Sequence, residues 1–236
     1  MKKLVVLSMV ASVAFAGKNV ELAPVEPVPV VPAKADRVTS NSVSLKLGTL
    51  GVGVDLEHMF NKKFALRLNV NGLKVSKSKS IEGIDYDLDL KLLTAGLLAD
   101  YHPWESSFRL TAGAYYNKNK ITGHAEPTQS KSITIGDKTY TYSDKISVDA
   151  KIDFKKFAPY IGFGWSSTEV NGWHFTADIG AMYHGTPKVS LKSYTTNNAI
   201  KAQLETETKK EEQELYNKVK KYKWYPVVSI GIQKKF

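Results

Sequence analysis

Cysteine is absent from all 236 residues, which rules out a disulfide framework and thiol chemistry. Beyond the first sixteen residues there is also no apolar run long enough to cross a bilayer as a helix. A chain that crosses lipid without such helices must close a sheet on itself, because hydrocarbon satisfies no open strand edge. Catalytic spacing is equally scarce. The five histidines, His58, His102, His124, His174 and His184, are scattered, and no two share metal-ligand spacing supported by carboxylates. His174-Phe175-Thr176 is only a weak echo of a histidine and hydroxyl pair. The expectation is no enzyme, no metal site and no cofactor.

What the chain does have is alternation. Its last segment, Tyr225 to Phe236, carries Ile232, Ile230 and Val228 on one face and Lys235, Gln233, Gly231 and Ser229 on the other, and it stops on an aromatic residue. A strand greasy on one side and wet on the other, ending on Phe236, reads as the closing strand of a bacterial outer-membrane β-barrel and as the signal for barrel assembly. At the other end, Lys2-Lys3, the apolar run from Leu4 to Phe15 and Ala14-Phe15-Ala16 form a secretory signal pattern over residues 1–16, with cleavage expected before Gly17. Residues 17–36 contain Pro24, Pro27, Pro29 and Pro32 and read as an extended periplasmic tail.

Formal net charge is +10, or +8 without Lys2 and Lys3. Export argues against nucleic acid as the partner. Basic turns and loops facing anionic lipid and lipopolysaccharide head groups account for the balance instead.

Between residues 37 and 236 the segments alternate and are joined by two kinds of connection. Asn61-Lys62-Lys63, Glu105-Ser106-Ser107 and Ser166 to Gly172 are short and flanked by Phe60, Phe64, Trp104, Phe108, Trp165 and Trp173. Rings beside short turns mark a periplasmic girdle, and Tyr86, Tyr116, Tyr183 and Trp224 would form the extracellular one. A soluble sandwich would also bury one face, but it gives no reason for rings at the turns. Reading Arg37 to Phe60 as one strand gives an odd total of seven, so it is split at Gly48-Thr49-Leu50-Gly51. The expected fold is an all-β, antiparallel, up-and-down transmembrane barrel of eight strands, monomeric, in the bacterial outer membrane.

Two connections are long. Residues 122–153 contain a hairpin around Gly136-Asp137, and residues 190–222 contain an amphipathic helix from Asn197 to Lys221, with Asn198 as its cap and Ile200, Leu204, Leu215 and Val219 as its stripe.

Alternation sorts the charges as well. Asp55, Glu57, Asp87, Asp89, Asp100 and Asp178 are assigned to the lumen against Lys46, Arg67, Lys91 and Arg109, which requires a phase slip, and so a β-bulge, near Leu92-Leu93. Two readings follow. Paired, these charges form a closed polar plug; in excess, the carboxylates favour small cationic solutes along a path past Asp55, Glu57, Arg67, Asp87, Asp89, Lys91, Arg109 and Asp178. Inward glycines, Gly53, Gly113, Gly162, Gly164, Gly180 and Gly231, would leave room for that path.

Several of these segments together resemble a known family. Gly48-Thr49-Leu50-Gly51, Tyr86-Asp87-Leu88-Asp89, Ala158-Pro159-Tyr160-Ile161-Gly162-Phe163-Gly164, Gly185-Thr186-Pro187-Lys188-Val189 and Lys223-Trp224-Tyr225-Pro226-Val227 resemble the CarO-type outer-membrane proteins, the ornithine-uptake porins. The resemblance runs from about Val43 to Phe236. It implies an eight-stranded barrel with extensive extracellular structure and uptake of small basic amino acids such as ornithine. Lys234 stands where barrel ends often have an aromatic residue. Without transport, the same barrel would be a structural or surface-binding module.

Overall fold

The computed structural model describes residues 39–81, 84–127, 132–141 and 146–236. The expected signal segment, its cleavage site and the Pro-rich tail lie outside the described residues. In chain order the elements are β1 (Ser40–Gly48), β2 (Gly51–Asn61), β3 (Phe64–Ile81), β4 (Ile84–Tyr101), β5 (Phe108–Asn117), β6 (Lys120–Pro127), β7 (Ser132–Ile135) and β8 (Lys138–Thr141). They continue with β9 (Ser147–Asp153), β10 (Phe157–Trp165), β11 (Gly172–Tyr183), β12 (Lys188–Tyr194), α1 (Lys201–Val219) and β13 (Trp224–Lys235).

Eight of these strands close a ring in the order β1, β2, β3, β4, β5, β10, β11, β13, and back to β1, each neighbouring pair antiparallel. The split of the first segment holds. Only Thr49 and Leu50 separate β1 from β2, and Gly51, at φ +100°, takes a backbone conformation that a Cβ disfavours. Closure satisfies every strand edge of the ring, as hydrocarbon requires. The outer wall is apolar: Leu45, Leu56, Leu68, Leu97, Ile161 and Ile230 are all exposed. Rings edge it at the short-turn end, where Trp104 lies 5.6 Å from Phe108 and Phe108 lies 6.1 Å from Trp165. Lys234 joins this girdle, its ammonium 5.5 Å from the Trp173 ring centre. The end with the short turns is the periplasmic one.

Beyond the other rim β3 and β4 continue as a long hairpin, and their pairing runs unbroken from Phe64↔Tyr101 to Ile81↔Ile84. The bulge expected at Leu92-Leu93 is therefore not there. The register shift in this part of the ring falls instead between Met59 and Asn61. Where β5 ends, β6 takes its place beside β4, and β9 and β12 follow, so an extracellular sheet grows out of the barrel wall. These three strands lie in stretches that alternation assigned to loops. Each is short; β6 pairs with the edge of β4, β9 with β6, and β12 with β9.

One face of the extension is apolar and continuous with the lumen side of β4. There Ile135 and Tyr140 of the β7–β8 hairpin cluster with Ile146, just before β9, and with Leu204 of α1, over Ile84, Ala125 and Val148. Thr208 Oγ1 donates to Ser193 Oγ at 2.8 Å, and Glu212 accepts from the Leu191 amide at 2.7 Å, which fixes the helix to β12. The expected cap is corrected: Ile200 occupies the N-cap with no side-chain hydrogen bond, while Asn197 Oδ1 accepts from the Ala199 amide.

The opposite face is polar and wet. On it His124 Nδ1 lies 2.6 Å from Asp149 Oδ1, and this hydrogen bond, ahead of a second carboxylate at Glu126, raises the histidine's pKa above its ordinary value. A raised folded-state pKa means stabilisation that is complete at low pH and fades as pH rises through it. In a titration followed by NMR, the His124 ring is expected to lose its proton above the usual value of about 6.5, and Asp149→Asn should bring the midpoint back. An unchanged midpoint in the variant would contradict the pairing.

Candidate functional site: a sealed lumen

Strand alternation sends eight charged side chains into the ring, and they meet there. Four are carboxylates, Asp55, Glu57, Asp100 and Asp178, and four are cations, Lys46, Arg67, Arg109 and Lys235; no side chain among them is more than 6 % exposed. Asp178 on β11 is the hub. It accepts from Lys46 Nζ at 2.5 Å, from Arg109 Nη2 at 2.7 Å and from Arg67 Nη1 at 3.2 Å, with Ser229 Oγ donating at 3.3 Å. Arg67 reaches across to Asp55 at 3.0 Å and lays its Nε 2.9 Å from Asp100 Oδ2. Lys46 also pairs with Asp55. Towards the periplasm Glu57 holds Lys235 at 3.3 Å and Arg109 at 3.4 Å.

Neutral groups complete the network. Thr111 Oγ1 donates to Asp100 at 2.5 Å, Gln233 Nε2 donates to Ser42 Oγ at 2.8 Å, and Asn69 bridges Asp55 to Asn71, which donates to Thr94 Oγ1 at 3.0 Å. Each charge has an opposite charge beside it, as a buried charge requires.

On the extracellular side of this network lies a different layer. Leu50, Leu98, Tyr115, Ala158, Tyr160, Met182 and Val227 form one buried apolar cluster that fills the lumen. Tyr115 and Tyr160 stack edge to face, ring centres 5.5 Å apart. Here the inward glycines find their use. A Cβ on Gly180 would come within 2.5 Å of the Tyr160 hydroxyl, and one on Gly96 within 2.5 Å of the Tyr115 ring. The space beside Gly96, Gly162 and Gly180 is thus filled by tyrosine, and that beside Gly53 by Asn71. Above the layer a cavity of about 180 Å³ remains, lined by Leu92, Asn117, Asn119, Phe154, His184 and Tyr225 among others.

Of the residues assigned to the lumen from sequence, Lys46, Asp55, Glu57, Arg67, Asp100, Arg109 and Asp178 are brought together. Asp87, Asp89 and Lys91 are not. With β3 and β4 paired without a slip, they fall on the outer, wet face of the extension, where Asp87 is opposite His124 and Asp89 opposite Thr122. Tyr86 goes with that correction: it sits on the extension, opposite Ala125, and not in the rim girdle of Tyr116, Tyr183 and Trp224. The expected excess of carboxylates disappears with it, because Lys235, unused in that count, makes the lumen four against four. Its signal was present in the alternation of β13. His174 Nε2 lies 3.0 Å from the Asn171 carbonyl, while the Thr176 hydroxyl accepts from Arg109.

Similar folds exist among solved structures. A crystal structure of Acinetobacter baumannii CarO2 superposes with a TM-score of 0.56 at 28% identity, covering 84% of this chain and 98% of that one. Acinetobacter baumannii CarO gives 0.53 at 24% identity, covering 85% and 100%. Neither a protein-family model nor a curated protein matches the chain. With its closed ring and apolar outer wall, the chain is a barrel of the bacterial outer membrane, similar in fold to the CarO2 structure.

Proposed function

We propose that this barrel is a slow channel for small solutes, shut at rest, whose passengers are zwitterionic or basic amino acids such as ornithine. The observation that carries the reading is the shared partners of the lumen network. Asp178 alone serves Lys46, Arg67, Arg109 and Ser229, so one contact can part while others keep every charge paired. A solute carrying an ammonium and a carboxylate can take the place of either kind of partner, and a balanced lumen suits it better than a ring of one sign. In an eight-stranded barrel side chains nearly fill the interior, so nothing large can follow. The likeness to CarO2 supports the same reading.

A second reading is favoured by the apolar layer. Tyr115, Tyr160, Leu98 and Met182 seal the lumen without any polar partner to exchange, as in a barrel that only anchors its extracellular sheet as a binding surface. Swelling of protein-containing liposomes in ornithine separates the two. The channel reading expects swelling slightly above that of empty liposomes, and faster swelling for Tyr160→Ala, which removes a ring from the seal. Rates equal to empty liposomes for both proteins would leave only the closed barrel.

A further inference from the structure

The place where β5 leaves β4 is strongly basic, with seven lysines around one hollow. There the rim of the barrel and the extracellular sheet bound a notch of about 1050 Å³. Its lining includes one ladder row across four strands, Lys91↔Lys120↔Asp153↔Lys188, and Lys74 lies next in that row beside Lys91, which places lysine beside lysine twice. Like charges directly opposite on neighbouring strands repel. Lys118, Lys155 and Lys156 close the sides of the notch. Asp153 is already taken by Lys151 at 2.6 Å, and among the described residues no carboxylate pairs with Lys74, Lys91, Lys118, Lys120, Lys155, Lys156 or Lys188. So much unmatched positive charge is a site for an anion.

Its position says which anion. The lysine row lies on the outer face of the wall, just above the rim girdle, and Lys118 itself sits 5.3 Å over the Tyr116 ring. Directly below, in the lipid-facing wall, the small residues Ala95 and Ala114 between Leu68, Val70 and Leu97 leave an apolar groove of about 640 Å³. Phe157 lines both hollows. A free phosphate would use the notch and leave the groove; an acylated phosphate fills both.

We propose that the notch and groove together bind a phosphorylated, multiply acylated glycolipid of the outer leaflet, phosphates on the lysines and one acyl chain along Ala95 and Ala114. The site is independent of whether the lumen conducts. It would hold the extension at a fixed height over the membrane, since Lys91, Lys120 and Lys188 belong to the sheet while Lys118, Lys155 and Lys156 belong to the rim.

The test is native mass spectrometry of the whole protein released from detergent with bisphosphoryl lipid A, its dephosphorylated form or inorganic phosphate. Each lysine near a lipid surface contributes about fivefold, so Lys118→Gln, Lys120→Gln and Lys156→Gln together should weaken binding of bisphosphoryl lipid A roughly 100-fold. The corresponding arginine variant should bind like the natural protein. Equal binding by the glutamine variant, or equal retention of the dephosphorylated lipid, would overturn the proposal. Inorganic phosphate displacing the lipid at equal concentration would show a free-anion site and overturn it too. Should the glutamine variant not fold, as judged by gel mobility before and after heating, salt decides: binding to the natural protein that does not fall with added salt contradicts a lysine-phosphate site.

Discussion

Replacing Asp178 with Ala is expected to remove about 3–5 kcal/mol of folding stability, the cost typical of breaking a buried ion pair by deleting one partner. The size follows from what stays behind. Lys46, Arg67 and Arg109 would share Asp55, Asp100 and Glu57 with Lys235, four cations against three carboxylates in a lumen with almost no exposed surface. Ser229→Ala removes only one neutral donor, 3.3 Å from the same carboxylate, and should cost about 0.5–1.5 kcal/mol. The measurement is urea unfolding in lipid vesicles, followed by tryptophan fluorescence and by the mobility of unheated protein on gels. A loss below about 1 kcal/mol for Asp178→Ala would mean that water reaches the hub and screens it, as it does at exposed pairs. That outcome would remove the plug.

The second large effect concerns the opposite face of the same wall. Leu68 on β3 points outward between Leu56 of β2 and Leu97 of β4, with which it shares one ladder row, and all three are exposed. Leu68→Arg should destabilise the barrel by about 2–4 kcal/mol if that row lies near the bilayer midplane, because the guanidinium must then be placed in hydrocarbon. Its neighbour in the chain, Asn69, points inward to Asp55. Asn69→Leu should therefore act through lost hydrogen bonding and leave insertion into lipid unaffected. If Leu68→Arg unfolds at the natural urea concentration, the row carrying Leu56, Leu68 and Leu97 does not lie in the hydrocarbon midplane.

The two substitutions probe the parts of the molecule that were legible in different degrees. Alternation in β1, β2, β5, β10, β11 and β13 assigns lipid and lumen residues as the ring has them, since a period of two leaves each strand only one way to bury its polar set. Asp55, Glu57, Arg67, Arg109 and Asp178 are readable for the same reason. The failure at Asp87, Asp89 and Lys91 has the same origin. Tyr86, Leu88, Leu90 and Leu92 alternate with them perfectly well, and the rule that greasy faces meet lipid places them outside. In the extension, above the membrane, that rule reverses. The apolar face is the one under α1 and the β7–β8 hairpin, and the charged face meets water. To keep lipid outside everywhere, a slip had to be placed at Leu92-Leu93, where β4 in fact runs straight.

Short strands escaped for another reason. Lys120 to Pro127, Ser147 to Asp153 and Lys188 to Tyr194 are too brief to signal themselves against turn-rich surroundings, and their stability comes from pairing with β4 and with each other. The lysine notch exists only because they line up. Lys74, Lys91, Lys120 and Lys188 are spread over more than a hundred residues of chain, and register alone makes them a row.

By itself, then, the order of residues determined a closed, two-faced, antiparallel cylinder for the outer membrane, because periodicity and missing apolar helices are local facts. Whether the charges inside cancel, whether tyrosines occupy the room beside the glycines, and which solvent each face of β4 meets were decided by tertiary structure. Those outcomes depend on which strands stand opposite one another, and electrostatic pairing and close packing act only across that distance.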